Sequence, residues 1–150
     1  MKWSMDTKTH IRTASFFLLF CLTIFQGSAG AEERKECSLC GMYLDQYKST
    51  VHAIIFNDGT QLETCSLACA AKIYAKEKAR IKKIMVADFL TDELIDAAHA
   101  VYLEGSDIPG VMSYTSRIAF RSRASAVNFQ KKHGGKIVTF KEALQHQLEE

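Results

Sequence analysis

Apolar and polar positions fall into short blocks along the chain, and the order of the blocks repeats. Residues 51–56 (Val-His-Ala-Ile-Ile-Phe) are β-branched and apolar, and predict a strand. Asn57-Asp58-Gly59 follows as a hairpin signal, and residues 61–64 supply the return strand. Ser66 stands where a helix cap belongs, and residues 67–80 are rich in Ala and Lys, as helices are. Residues 84–89 read as a strand closed by Thr91-Asp92. A second unit then opens with His99-Ala100-Val101-Tyr102-Leu103, which echoes His52-Ala53-Ile54-Ile55-Phe56. After a loop holding Gly105, Pro109 and Gly110, residues 117–120 predict a strand. Ser122 or Ser125 starts a helix that reaches His133, and Gly134-Gly135 ends it. Residues 137–140 form another strand, and Thr139-Phe140-Lys141-Glu142 has the spacing of a capping box before a final short helix. Each unit reads strand, strand, helix, strand. The expected fold is α+β: two similar ββαβ units, at about 37–90 and 97–142, packed as one small compact protein over residues 32–150.

The N-terminus follows a different pattern. Lys2, Lys8 and Arg12 precede an apolar run at 14–25, broken only by the hydroxyls of Ser15 and Thr23. Ala29-Gly30-Ala31 then gives an A-x-A cleavage pattern, so residues 1–31 read as a secretory signal. The run is 12 residues long, whereas a bilayer span needs about 20. Cys21 lies inside it after Phe20, where a lipidation site would place a small residue. The expected location is periplasmic or otherwise extracytoplasmic.

Composition narrows the function. Of the 150 residues 47% are hydrophobic and 24% charged, which excludes collagen-like, low-complexity and strongly disordered classes. Lys plus Arg number 19 against 17 acids, a net charge of +2, and beyond Ala31 the two signs balance. No cationic excess suits a nucleic-acid partner, and none is expected. The basic positions between Lys72 and Lys83 fall at helical spacing and read as a solvated face. The chain has no G-x-S-x-G, no phosphate-cradling glycine loop and no H-E-x-x-H. It is not expected to be an enzyme.

The cysteines carry the chemistry. Cys37 and Cys40 form a C-x-x-C pair beside Gly41, which lets the backbone turn tightly enough for both sulfurs to face one point. Cys65 and Cys69 form a C-x-x-x-C pair at the start of the first helix, where residues four apart share a face. A helix N-terminus favours the thiolate, the form that binds metal. Two convergent pairs suggest a soft-metal site. A structural Cys₄ zinc site uses the same pairing, two disulfides are expected in many exported proteins, and a C-x-x-C redox centre is a third alternative. Nothing before Cys37 resembles the strand of a thioredoxin unit.

Met42 turns the metal reading towards copper, because thiolate and thioether ligands favour Cu(I). Met112, in a loop holding Gly105 and Gly110, is a second thioether candidate, while Met85 falls in an apolar strand and reads as packing. His52 and His99 open the matching strands and could share a face as ligands, although a strand-edge histidine is as well explained by solvation. His133 suits a helix C-terminus, and His146 a surface.

With these residues in place the chain resembles the NosL family, accessory proteins of nitrous-oxide reductase. The likeness rests on Cys37-Ser38-Leu39-Cys40-Gly41-Met42, the strand and turn through Asp58-Gly59, and Met85-Val86-Ala87-Asp88-Phe89. It continues through Leu94-Ile95-Asp96-Ala97, Tyr102 with Gly105-Ser106, and Gly110-Val111-Met112. It ends with His133-Gly134-Gly135-Lys136, Thr139-Phe140 and Glu142. The resemblance implies an exported Cu(I)-binding protein that delivers copper to a client cuproprotein, the reductase. It implies a fold of two similar ββαβ units. It places metal ligands at Cys37, Cys40, Met42 and Met112; Cys65 and Cys69 depart from the pattern as a feature of only some relatives, and would either complete that site with four sulfurs or serve a different metal. Members of the family are commonly lipid-anchored, and for this chain the resemblance leaves membrane attachment open.

Overall fold

The structure is a computed structural model that describes residues 34–150. The expected secretory signal, residues 1–31, and Cys21 within it lie outside the described residues. Seven strands and three α-helices follow in order: β1 (His52–Phe56), β2 (Gln61–Thr64), α1 (Leu67–Glu77), β3 (Ile81–Ala87), β4 (Leu94–Asp96), β5 (Val101–Glu104), β6 (Arg117–Phe120), α2 (Arg123–His133), β7 (Lys136–Thr139) and α3 (Phe140–Glu149). Among the described residues no helix is long and apolar enough to cross a membrane.

The strands form two antiparallel sheets, ordered β2-β1-β3-β4 and β6-β5-β7. In each, the unit's first strand is central, flanked by its hairpin partner and by the strand that follows the helix. The two ββαβ units therefore share one topology, as expected for an α+β protein of this kind. β4 adds an edge to the first sheet, and α3 follows the second unit and packs against α1.

The register corrects one detail of the repeat. His52 pairs with Thr64 and Val86, while Val101 pairs with Phe120 and Thr139. Thr64 and Phe120 stand at equal distances before the helix N-caps Ser66 and Ser122. His52 thus corresponds to Val101, not to His99, and the five-residue echo in the sequence is out of register. His99 lies in the turn before β5 with its side chain 87% exposed.

Local chemistry explains the boundaries. In the first hairpin Gly59 sits at φ +86°, and the Asp58 carboxylate accepts hydrogen bonds from the Thr60 N–H and hydroxyl at 2.9 and 2.6 Å. α1 ends at Glu77 rather than Arg80, because its last residues tighten into a 3₁₀ turn, Lys78–Arg80, and β3 consequently begins at Ile81. Ser122 caps α2 by accepting from Ser125 N, and Gly134, at φ +68°, terminates it.

Thr139 and Glu142 form a complete capping box: the Glu142 carboxylate accepts from Thr139 N at 2.7 Å, and the Thr139 hydroxyl accepts from Glu142 N at 3.3 Å. Thr139→Ala is expected to lower the unfolding free energy by about 1 kcal/mol in urea titrations, whereas Thr139→Ser keeps the hydroxyl and should hold wild-type stability.

A single main core draws on both sheets. It contains Ile54, Phe56, Leu67, Ile84 and Val86 from the first unit, with Tyr102 and Val138 from the second and Leu144 from α3. A second cluster, Leu103, Ile118, Phe120 and Ala126, lies under α2 with Phe89 and Phe129 packed on it. A third cluster is built around the cysteines.

Candidate metal centre

The residues before β1 fold into a small knuckle. Cys37 N donates to Met42 O at 2.8 Å and Gly41 N to Cys37 O at 3.0 Å, with Gly41 at φ +75°, a conformation that favours glycine. An isolated bridge between Glu36 and Tyr43 closes the base, and Ser38 N donates to Glu63 O at 2.8 Å, tying the knuckle to β2. Cys65 follows the last residue of β2, and Cys69 lies in the first turn of α1. Strand end, helix start and knuckle thus meet at one point.

Four sulfurs converge there. The Sγ atoms of Cys37, Cys40, Cys65 and Cys69 all lie within 4.8 Å of one another. Cys65 Sγ is central, 3.7 Å from Cys40 Sγ and 3.7 Å from Cys69 Sγ. Four thiolates around one ion at about 2.3 Å lie about 3.8 Å apart along the edges of a tetrahedron, so this spacing suits one ion. All four cysteines are free thiols, not disulfides. Cys37, Cys65 and Cys69 are buried, and Cys40 alone reaches the surface. Leu44 is buried with them, and Met42, Tyr47, Val51 and Val111 pack around the group.

The thiols hold their protons unequally. Cys65 is pulled down to about 5, first by the hydrogen bond from the Cys69 thiol, against the effect of burial, and then by those from Cys40 and Ser66. Cys69 is pushed up by its bond to Cys65, by burial and by the charge on Cys65. Burial is the main cause that raises Cys40. One thiolate, centred on Cys65, is therefore stabilised by neighbouring thiols. Among the described residues no Lys, Arg or His side chain hydrogen-bonds to a sulfur. An incoming cation would supply the missing positive charge and displace the remaining protons.

The structure separates the other candidates. Met42 is half-buried and packs against the sulfur cluster. Met112 is 47% exposed at φ +57° and lines an open groove of about 650 Å³ between α1 and the end of α3, while its neighbour Val111 touches the cysteine cluster. Met85 pairs with Ala53 and Asp96 inside the first sheet.

His52 and His99 do not join the sulfurs. His52 is fully buried, not solvated at a strand edge, because β1 is the centre of its sheet. Its Nδ1 lies 3.0 Å from Thr50 O and its Nε2 3.1 Å from the Tyr102 hydroxyl. His133 pairs with Asp107 at 2.9 Å and stacks on Phe129, and His146 pairs with Glu104 at 2.8 Å.

Burial, partly offset by the bond to Thr50, lowers His52 to about 4. Its pKa in the unfolded chain is about 6.5, so between those values the unfolded state binds the extra proton. The stability from neutral burial is present above about pH 6.5 and is lost as pH falls towards 4, by about 3 kcal/mol over the interval. In an NMR titration the His52 ring should stay neutral down to about pH 5; a midpoint near 6.5 would contradict its buried, hydrogen-bonded placement.

Sequence reasoning missed the His52–Tyr102 contact, which joins the two units. It also missed Arg117, whose buried side chain donates to Glu104 at 2.6 Å, Gln147 at 2.7 Å and Glu150 at 3.2 Å. Neither has a local sequence signal, since these partners stand 13 or more positions away in the chain.

The NosL family model matches residues 29–148. The chain belongs to the NosL family. Its fold resembles the crystal structure of the copper chaperone NosL from Shewanella denitrificans, with a TM-score of 0.63 and 24% identity, covering 72% of this chain and 88% of that one. The chain is also 27% identical over 114 residues to the HTH-type transcriptional repressor CutR of Bacillus subtilis (strain 168). That match covers 76% of this chain, which spans 59% of the length of the repressor. The NosL fold thus accompanies the four-sulfur cluster in this chain.

Proposed function

We propose that this NosL protein is an exported Cu(I)-binding metallochaperone that delivers copper to the centres of nitrous-oxide reductase. The observation that carries the reading is the convergence of four sulfurs, three buried and one at the surface, within 4.8 Å. Thiolates and a neighbouring thioether form a soft donor set that favours Cu(I). The structural relative carries the name of a copper chaperone, and the family resemblance points to the reductase as client. The signal-like residues 1–31 support an extracytoplasmic location.

In this reading copper is cargo, and the protein acts by binding and exchange without catalysis. Cys37 and Cys40 hold Cu(I) as thiolates, Cys65 and Cys69 complete the sulfur set, and Met42 or Met112 supplies a softer, more easily displaced donor. Cys40 is the sulfur that a client ligand reaches first. A ligand entering on that side would replace Cys40 before the buried sulfurs release the ion.

Anaerobic competition against a chromogenic chelator tests this. Reduced protein should take up Cu(I) tightly and Zn(II) weakly, and Cys37→Ser with Cys40→Ser should abolish the Cu(I) uptake. Unchanged Cu(I) affinity in that double variant would sink the assignment.

A second reading has its own support. The 3.7 Å sulfur spacing and the burial of three cysteines equally suit a closed structural zinc site in a small interaction module. Zinc preference, with unfolding on chelation, would favour that reading, because in such domains binding energy is folding energy.

A further inference from the structure

The second ββαβ unit carries none of the clustered sulfurs, yet one of its buried side chains reaches towards them. Tyr102, on the central strand of the second sheet, meets His52, on the central strand of the first. A polar pair in an otherwise apolar core is expensive to bury unless it is fully bonded, and aliphatic packing there would serve stability equally well. This pair is bonded at both ends. Thr50 O can only accept, so His52 Nδ1 carries the proton and donates to it at 3.0 Å. Nε2 is then an acceptor, and the Tyr102 hydroxyl donates to it at 3.1 Å. The Thr50 hydroxyl donates onward to the backbone carbonyl of Cys65 at 2.7 Å. The chain of bonds runs Tyr102, His52, Thr50, Cys65, and every member is buried.

Cys65 is the sulfur in contact with both Cys40 and Cys69. Its backbone leaves β2 and enters the N-cap of α1, and Ser66 makes no side-chain cap bond there. The Thr50 hydroxyl therefore supplies a fixing contact at this junction that the helix cap does not.

We infer that Tyr102, His52 and Thr50 are positioning residues for the sulfur site, through which the cysteine-free unit fixes the backbone of Cys65 and slows the loss of the bound ion. This rests on the proposed Cu(I) site. Its role is that of an outer shell, where removing one partner typically weakens metal binding about 10–100-fold.

The test uses the mature protein loaded with one equivalent of Cu(I) and follows release to a chelator. Tyr102→Phe and Thr50→Val should each speed release about tenfold. Because they break the same chain, the double variant should release no faster than the faster single variant. Ile137→Val removes a methyl group from the cluster under α2, which shares no hydrogen bond with the chain, and should leave release unchanged. Equal acceleration by Ile137→Val, or wild-type release from folded Tyr102→Phe and Thr50→Val, would overturn the inference. If Tyr102→Phe does not fold, Thr50→Val decides alone. Alkylation of Cys65 in metal-free protein, followed by peptide mass spectrometry, separates this inference from the copper assignment. If the wild type binds no Cu(I), the functional reading fails, and the alkylation still decides positioning: faster modification in both variants supports it, and an unchanged rate overturns it.

Discussion

Cys65→Ser will lower Cu(I) affinity at least a thousandfold, about 4 kcal/mol, while leaving a folded protein. The magnitude follows from position. Cys65 Sγ is 3.7 Å from two other sulfurs and is fully buried, so no water can replace a lost donor without rearrangement. It is also the thiol most easily ionised, held near 5 chiefly by the Cys69 thiol. Serine keeps the shape but offers a hard oxygen that stays protonated, a poor ligand for Cu(I). Competition titration reads the loss directly. A tenfold loss or less would remove Cys65 from the ligand set and return the site to the Cys37–Cys40 pair with its methionines.

Phe120→Ala will cost about 3–5 kcal/mol of unfolding free energy. Phe120 is fully buried, its ring centroid 6.0 Å from Phe89 and 5.3 Å from Phe129, and it packs with Leu103 and Ile118 beneath α2. Truncation would leave a cavity that β6, paired along its length with β5, cannot close by shifting. Domains of this size hold about 5–15 kcal/mol in total, so the urea midpoint should fall steeply. A loss below about 1 kcal/mol would show that α2 collapses onto the gap and that this cluster is loosely packed.

Much of the architecture is written locally. The Asn57-Asp58-Gly59 turn, the strand at 117–120 and the Thr139–Glu142 capping box fall where the residues place them. Each depends on chemistry within a few positions: a glycine at positive φ, a short apolar run, a hydroxyl three residues before a carboxylate. β4 was not legible because Leu94–Asp96 is three residues long, flanked by Glu93 and Ala97, and exists only through pairing with β3. The repeat was legible as an order of elements but not in register, since register is set by pairing across the sheet and by the N-cap serines.

The site divides in the same way. The two cysteine pairs announce themselves by spacing, because a tight knuckle and one helical turn each bring two sulfurs together. That both pairs meet at one point depends on Ser38 bonding to Glu63, which no spacing rule contains. His52 was open to misreading because its burial comes from the order of strands, with β1 between β2 and β3. Met112 is exposed while its neighbour Val111 packs on the cysteine cluster, and spacing in the sequence does not tell which of the two faces the sulfurs.

The most direct test of the account is X-ray absorption at the copper edge on Cu(I)-loaded, reduced protein. A Cu(I) site built on these four cysteines should show sulfur alone as nearest neighbours, at about 2.2–2.3 Å, around a single copper per chain. A shell containing nitrogen or oxygen, or copper that is displaced by equimolar zinc, would contradict it.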